Sequence, residues 1–141
     1  MQAPITISLL GTPKGKGRPR FVRATGRTYT PETTRKYEAA LRAAAEKEMG
    51  GCKPLTGPLD LSMLAQFEPP ASWPRRKKEA ALRGEIMPTG RPDVDNALKA
   101  VADAGNGVIW LDDAQIVSAT VRKRYGAISL MVMTVKETAT P

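Results

Sequence analysis

The chain has 141 residues, of which 41% are hydrophobic, and its 22 Lys and Arg outnumber its 14 Asp and Glu to give a net charge of +8. This length and composition predict one domain with an ordinary core, and the charge indicates a polyanionic partner. The chain has no histidine and a single cysteine, Cys52, which excludes Ser-His-Asp and Cys-His catalysis and zinc sites built from His or Cys.

The sequence also bears on where the protein works. The first residues lack the charge order of a signal peptide, and no apolar run approaches the roughly 18 residues of a membrane span. A lone cysteine fits a reducing compartment. We therefore expect a cytoplasmic protein with no membrane contact.

The first third of the chain predicts a strand, a basic loop, a hairpin and a helix. Alternating apolar residues predict the strand over about residues 4–10. Glycine and proline fill half of residues 11–20, so we expect this segment to be a mobile basic loop. Residues 21–29 predict a short hairpin. A helix is expected over about 30–49, since threonine, proline and glutamate at its start suit capping, the first turn and the helix dipole.

The rest of the chain predicts further strands and helices. Clean alternation predicts a strand over about 58–67, and a short basic helix follows over about 73–83. A second helix should run from Asp93–Asp95 to the glycines near 105. We expect a short strand at Val108–Trp110. Residues 116–124 and 127–136 are both β-rich and predict a hairpin, which completes a single α/β domain over residues 1–141, a mixed sheet packed by a few helices.

An acidic segment stands out in this basic chain. Residues 91–117, RPDVDNALKAVADAGNGVIWLDDAQIV, hold five aspartates. A carboxylate cluster repels a polyanion unless a divalent metal ion bridges the two, so the segment indicates a metal-dependent nuclease.

The first part of this segment allows two interpretations. Asp93 and Asp95 can point the same way and share a Mg²⁺ ion, or Asp95 can simply cap the following helix. Lys99 lies one turn after Asp95 and suits either a scissile phosphate or a surface ion pair, and Asp103 lies one turn further.

The second part, Asp112-Asp113, follows an apolar run and precedes a β-rich one. This position predicts the mouth of a sheet, although a turn between strands is the alternative. Neighbouring strand residues point in opposite directions, so we expect one of the two carboxylates to face a metal.

Basic residues form clusters that we expect to contact the phosphates of DNA or RNA. The residues expected to contact DNA are Lys14, Lys16, Arg18 and Arg20 in the loop and Arg75, Arg76 and Lys77 on the short helix. A third cluster, Arg122–Arg124, lies near the last predicted turn. Solvated surface charge is the alternative for any one cluster.

These motifs resemble a known family. The D-x-D-N-x-x-K-x-x-x-D core at 93–103 and the W-x-D-D-x-Q block that starts at Trp110 are similar to the signature of RusA-type Holliday-junction resolvases, the crossover-junction endodeoxyribonucleases. The string PKGKGRPRFVRATGRTYTPETTRKYEAAL, residues 13–41, resembles the bacterial and prophage branch. The likeness covers most of the chain and is weaker over 50–90.

The resemblance implies specific roles. It implies that Asp93, Asp95 and Asp113 are catalytic carboxylates that bind Mg²⁺, with Mn²⁺ as a substitute, that Asp112 is a further metal ligand and that Lys99 is catalytic. It also implies a homodimer with a mixed α/β fold and no small-molecule cofactor. The implied activity is resolution of four-way DNA junctions by paired symmetric nicks, in recombination and repair.

Two other functions stay open from the residues alone. A non-catalytic DNA-binding accessory protein would use the aspartates only for caps and turns. A metal-dependent nucleotide hydrolase would keep the acidic site but would have no need of three basic clusters.

Overall fold

The computed structural model describes residues 3–16, 20–29 and 32–138, and over these residues the chain forms six strands and three α-helices. In chain order they are β1 (Ile5–Leu10), β2 (Arg20–Val22), β3 (Arg27–Tyr29), α1 (Glu32–Met49), β4 (Leu59–Phe67), α2 (Arg75–Leu82), α3 (Val94–Gly105), β5 (Ile116–Tyr125) and β6 (Leu130–Glu137). A single 3-10 turn, Asp113–Gln115, leads directly into β5.

Four of the strands form a mixed sheet in the order β1-β6-β4-β5. β6 pairs antiparallel with both β1 and β4, whereas β5 pairs parallel with β4. β2 and β3 form a separate antiparallel hairpin, as predicted. The predicted α/β class with a mixed sheet is confirmed.

The core lies between one face of this sheet and the two long helices. Every second residue of β4, from Leu59 to Ala65, is buried, which is the alternation that its sequence predicts. α1 and α3 contact each other and cover the same face, α1 over β1 and α3 beside β5. α3 contributes mostly small residues to the core, so its backbone lies close to its neighbours. The polar side of α3 remains open to solvent.

The predicted hairpin of the last two strands is wrong, because β4 lies between β5 and β6. The connection after β5 crosses the end of β4 and is held there by the side chain of Gln66. The Gln66 amide donates to the Ile128 carbonyl at 2.8 Å, and its oxygen accepts from Arg124 at 2.8 Å. Gly126 permits this crossing, since a Cβ there would stand 2.2 Å from the Gln66 side chain.

The predicted strand at Val108–Trp110 is also wrong, since this segment is a turn in which Trp110 forms isolated bridges. The indole of Trp110 is fully buried and donates to the Asn106 side chain at 3.0 Å. Its ring lies against Gly105, where a Cβ would stand 2.4 Å from the indole. The apolar run 108–110 is therefore a buried turn at the end of α3. Hydrophobic periodicity alone does not distinguish such a turn from a short buried strand.

Candidate active site

The site is built on the first turns of α3. The helix begins at Val94, with Asp93 at the N-cap position in an extended conformation. The side chain of Asp93 makes no capping hydrogen bond. Its backbone carbonyl accepts the first hydrogen bond of the helix, from the Ala97 N–H at 2.9 Å. The cap that we considered for Asp95 is therefore not its role, because Asp95 already lies within the first turn.

A pocket of about 340 Å³ opens where α3 meets the start of β5. α3 supplies Asp95, Leu98, Lys99 and Ala102, whose spacing of three and four residues places them on one helix face. The opposite wall consists of Asp113 and residues 116–119. Asp95, Lys99 and Asp113, three of the predicted catalytic residues, therefore line one pocket. The fourth, Asp93, is not among its lining residues.

The neighbours Asp112 and Asp113 occupy different environments. The Asp112 carboxylate accepts a hydrogen bond from the Ala114 backbone at 2.9 Å, and the Gln115 side chain accepts one from the Asp112 backbone at 2.9 Å. These two bonds form a capping box that starts the 3-10 turn. Asp112 thus stabilises the turn, while Asp113 lines the pocket.

The electrostatics of Asp113 reflect crowding of negative charge. Burial raises the pKa of its carboxyl group, and the adjacent Asp112 and the more distant Asp103 raise it further. Lys99 acts in the opposite direction and lowers this pKa. A bound cation would relieve the repulsion among these carboxylates.

A chain of ion pairs connects the pocket to the basic segment that follows β1. One carboxylate oxygen of Asp103 lies 3.2 Å from the Lys16 ammonium and 3.9 Å from that of Lys99. Lys16 also pairs with Glu38 of α1, and its backbone N–H donates to the Asn96 carbonyl at 3.2 Å. Asp103 therefore lies between a lysine of the pocket and a lysine of the basic segment.

This chain of ion pairs was not predicted from the sequence. Glu38 lies on α1 and Lys16 in the segment after β1, which is bonded to α3 through Asn96, and neither residue type nor spacing indicates that contact. The four-residue step from Lys99 to Asp103 was the one available signal. The ammonium of Lys16, predicted to bind DNA, already has two carboxylate partners.

The other predicted DNA contacts have separate locations. The side chain of Lys14 is exposed, as are those of Arg75, Arg76 and Lys77 on α2. Arg75 pairs with Glu79 at 3.0 Å, and the Lys77 ammonium lies 4.0 Å from the centre of the Trp73 ring. Arg18 lies outside the described residues, as does the side chain of Arg20, so the mobility predicted for 11–20 stays a prediction.

A Mg²⁺ site needs oxygen donors that converge on one point. Among residues 3–16, 20–29 and 32–138, no three or more Asp, Glu, His or Cys side chains stand close enough to hold one ion. Asp95 and Asp113 nevertheless offer carboxylate oxygens to one open pocket. Mg²⁺ often uses one or two protein carboxylates and completes its shell with water and substrate phosphate. The pocket therefore fits this ion, while three-carboxylate ligation stays a prediction.

No helix in the described part of the chain is both long enough and apolar enough to cross a membrane.

Comparison with known proteins identifies the family of the chain. Residues 11–135 match the family model described as Endodeoxyribonuclease RusA, a range that includes every candidate site residue. "Uncharacterized protein YqaN" of Bacillus subtilis (strain 168) is 33% identical over 124 residues, which cover 86% of this chain and 87% of that protein. The chain therefore belongs to the RusA family of endodeoxyribonucleases.

Proposed function

We propose that this protein is a Mg²⁺-dependent, structure-selective endodeoxyribonuclease that resolves four-way DNA junctions by paired symmetric nicks, in recombination and repair. The observation that carries the proposal is the pocket in which Asp95, Lys99 and Asp113 meet. It lies in a chain of net charge +8 that belongs to a nuclease family. A pocket with two carboxylates and a lysine suits hydrolysis of a phosphodiester bond.

Asp95 and Asp113 would hold the Mg²⁺ ion, with Asp93 as the third predicted ligand and Asp112 as a further one. The bound ion supplies Lewis acidity toward the scissile phosphate and lowers the pKa of the attacking water. Mn²⁺ also prefers oxygen ligands and is the expected substitute.

Lys99 stabilises the negative charge that develops on the phosphate in the transition state. Its side chain is 61% exposed, so it reaches the open side of the pocket. Asp103, one turn further along the helix, lies 3.9 Å from its ammonium. The backbone of α3 beneath Lys99 is packed in the core, which places the lysine at one wall of the pocket.

We propose that the active form is a homodimer. A four-way junction has near two-fold symmetry, and two symmetric cuts require two active sites related by the same symmetry. One chain provides one such pocket among its described residues. The proposed partner of this dimer is branched DNA. We expect the protein to work in the cytoplasm. The family resemblance suggests that its gene came from a prophage.

A non-catalytic accessory protein is the second candidate, favoured by two observations. Asp112 caps a turn and Asp103 pairs with lysines, which are the structural uses that this alternative requires. No three-carboxylate group is assembled among the described residues.

Cleavage assays separate these functions. The protein is incubated with a synthetic four-way junction, a linear duplex of the same sequence or free nucleotides, each with Mg²⁺ and with EDTA. We expect symmetric nicks in the four-way junction and in neither of the other substrates, and only when Mg²⁺ is present. The Asp113→Asn variant, as the control, should cut none of the substrates. Junction binding without cleavage would favour the accessory protein, and hydrolysis of free nucleotides would favour a nucleotide hydrolase.

A further inference from the structure

A second cavity, of about 170 Å³, lies at the opposite end of β4 and β5 from the start of β5. Its walls include the aromatic rings of Phe67 and Tyr125, which are the last residues of the two strands. The lining also includes two prolines, Pro70 and Pro88, and two charged residues, Glu68 and Arg91. The cavity is therefore mostly flat and apolar, with one charge of each sign.

The walls of this cavity are held in place by bonds from neighbouring residues. The rings of Trp73 and Tyr125 pack in a T-shaped arrangement, with ring centres 5.4 Å apart and planes at 64°. The Lys123 ammonium donates to the Gly90 carbonyl at 2.6 Å, and the Gly126 N–H donates to the Phe67 carbonyl at 2.9 Å. A preformed cavity with fixed aromatic walls does not lose much entropy when a planar group enters it.

The charges around the cavity favour one part of a nucleic acid. Lys77 lies over the Trp73 ring, and Arg91 lies in the lining, so cations surround the aromatic group. Phosphates suit this rim, but the carboxylate of Glu68 opposes a phosphate inside the cavity. A base suits the interior because its faces stack on aromatic rings and its edge can donate to a carboxylate.

The cavity also lies within reach of the catalytic pocket. Arg91 in this cavity and Asp95 in the catalytic pocket are four residues apart, so their Cα atoms are separated by at most about 14 Å. Successive nucleotides of one strand are about 3.4 Å apart along a duplex. Arg91 and Asp95 therefore lie within the length of about four nucleotides of one strand, while the β5 residues of the two sites lie further apart along β5.

We propose that this cavity receives one unpaired base of the bound DNA, a base next to the branch point that has left its stack. The proposal rests on the proposed function, since it needs a branched DNA partner. Unpairing is cheapest at a branch point, where stacking is already interrupted. Tyr125 and Phe67 stack on the base, and Arg91 contacts the adjoining phosphate.

The test uses 2-aminopurine, a base whose fluorescence falls when it stacks and rises when it becomes unstacked. Asp113→Asn protein is mixed with four-way junctions that carry this base at successive positions up to about five nucleotides from the branch point, which covers the reach of one strand between the two sites. We expect one or two adjacent positions to change fluorescence on binding, in a way that free junction and linear duplex do not show.

Variants of the ring then assign the signal to the cavity. Tyr125→Phe keeps the stacking surface and should keep the signal, whereas Tyr125→Leu should remove it and weaken junction binding about tenfold. Thermal melting shows whether Tyr125→Leu is folded. If it is not, Arg91→Gln, which changes no packed apolar group, should reduce the signal instead.

The outcomes for the two proposals differ. A junction that binds Asp113→Asn protein and shows no position-dependent signal overturns the base site and leaves the nuclease proposal intact. A signal that survives both Tyr125→Leu and Arg91→Gln places the base elsewhere and also overturns the site. Wild-type protein that neither binds nor cuts a junction contradicts the proposed function, and the base site with it.

Discussion

α3 and α2 both carry charged side chains on their exposed sides, yet they differ in how much of each helix is buried. α3 buries six of its residues, Ala97, Ala100, Val101, Ala102, Ala104 and Gly105, and carries Asp95 and Lys99 on its open side. α2 buries only Ala81 and begins with four consecutive cations. The backbone of α3 is therefore anchored in the core along one face, whereas α2 contributes a single buried residue.

This difference separates chemistry from affinity. Catalysis depends on a few groups held at defined positions, so the proposed function assigns it to α3, whose backbone is anchored in the core. Binding to a phosphate backbone is the sum of many weak contacts that tolerate side-chain motion, so the proposed function assigns it to the more exposed α2. Substitutions in α3 and its pocket should change rates, and substitutions in α2 should change affinity.

The largest effect is expected from the pocket carboxylates. Asp95→Asn, Asp113→Asn and Asp93→Asn should each reduce junction cleavage to background, because an amide does not supply the negative oxygen that a hard cation requires. Junction binding should be kept or tightened, since repulsion of phosphate is removed. Asp112→Asn keeps the cap and tests Asp112 as the further metal ligand. Glu48→Gln, which changes an exposed carboxylate on α1, is the matched control and should retain cleavage. Cleavage gels and filter binding measure both quantities, and near wild-type cutting by any of the three variants would contradict its assignment.

Lys99 should show the next largest effect. Lys99→Ala should lower the single-turnover cleavage rate by on the order of a hundredfold, because one preorganised charge-stabilising group is lost. Lys99→Arg should not restore it fully, since a planar guanidinium does not replace a compact ammonium. Junction affinity should change little. If Lys99 only forms the surface ion pair with Asp103, the alanine variant cleaves normally and loses less than about 1 kcal/mol of stability.

On α2, the expected effect is on affinity and its salt dependence. Arg76→Ala combined with Lys77→Ala should weaken junction binding and reduce the slope of log K against log salt by about one for each lost phosphate contact. The single-turnover rate at saturating protein should stay near wild type. Lys47→Ala, an exposed lysine on α1, is the control. Equal slopes for all three proteins would remove α2 from the DNA interface.

Packing under α3 should decide stability. Gly105→Ala places a Cβ about where the Trp110 ring lies, 2.4 Å from its nearest carbon, and overpacking of this kind costs about 1–3 kcal/mol. Lys78→Ala on α2 should change the free energy of unfolding by less than about 0.5 kcal/mol. Urea unfolding of the two variants compares the helices directly. A stable Gly105→Ala protein would mean that the end of α3 is looser than the contact with Trp110 indicates.

The smallest effect concerns Lys16 and depends on pH. Burial lowers the pKa of the Lys16 ammonium, but Glu38 and Asp103 outweigh it, so the pKa lies above its ordinary value of 10.5. A raised pKa stabilises the fold at pH values below 10.5 and loses that contribution as the pH rises through the folded-state pKa. The stability difference between wild type and Lys16→Met should therefore be constant near neutral pH and shrink above about pH 10.5. A difference that does not change with pH would show that the ion pairs do not stabilise the fold.

The sequence predicted the local part of this architecture well. Helical spacing alone placed Asp95 and Lys99 on one face of α3, because that geometry depends only on residues within two turns. It did not show which of Asp112 and Asp113 faces the pocket, since that depends on a cap formed with Ala114 and Gln115.

Contacts between residues far apart in the chain could not be predicted from the sequence. The β5–β6 hairpin prediction failed because β4, about 60 residues earlier in the chain, lies between the two strands, and its Gln66 side chain binds the connection between them. Prediction of the contact between Lys16 and Glu38 would have required the position of α1 relative to the segment after β1. Pattern and spacing carry no information about such contacts.

The position of β6 has a consequence for the order of folding. β6 is the neighbour of both β1 and β4, so the earliest strand of the sheet has no strand beside it until residues 130–137 have been synthesised. Of the four strands of this sheet, only β4 and β5 can pair before β6 is synthesised, and more than a hundred residues separate β1 from its partner β6. Long-range pairing of this kind is slow. The emerging chain therefore exposes apolar sheet surface until late in synthesis, and its need for chaperones should be greatest just before β6 leaves the ribosome.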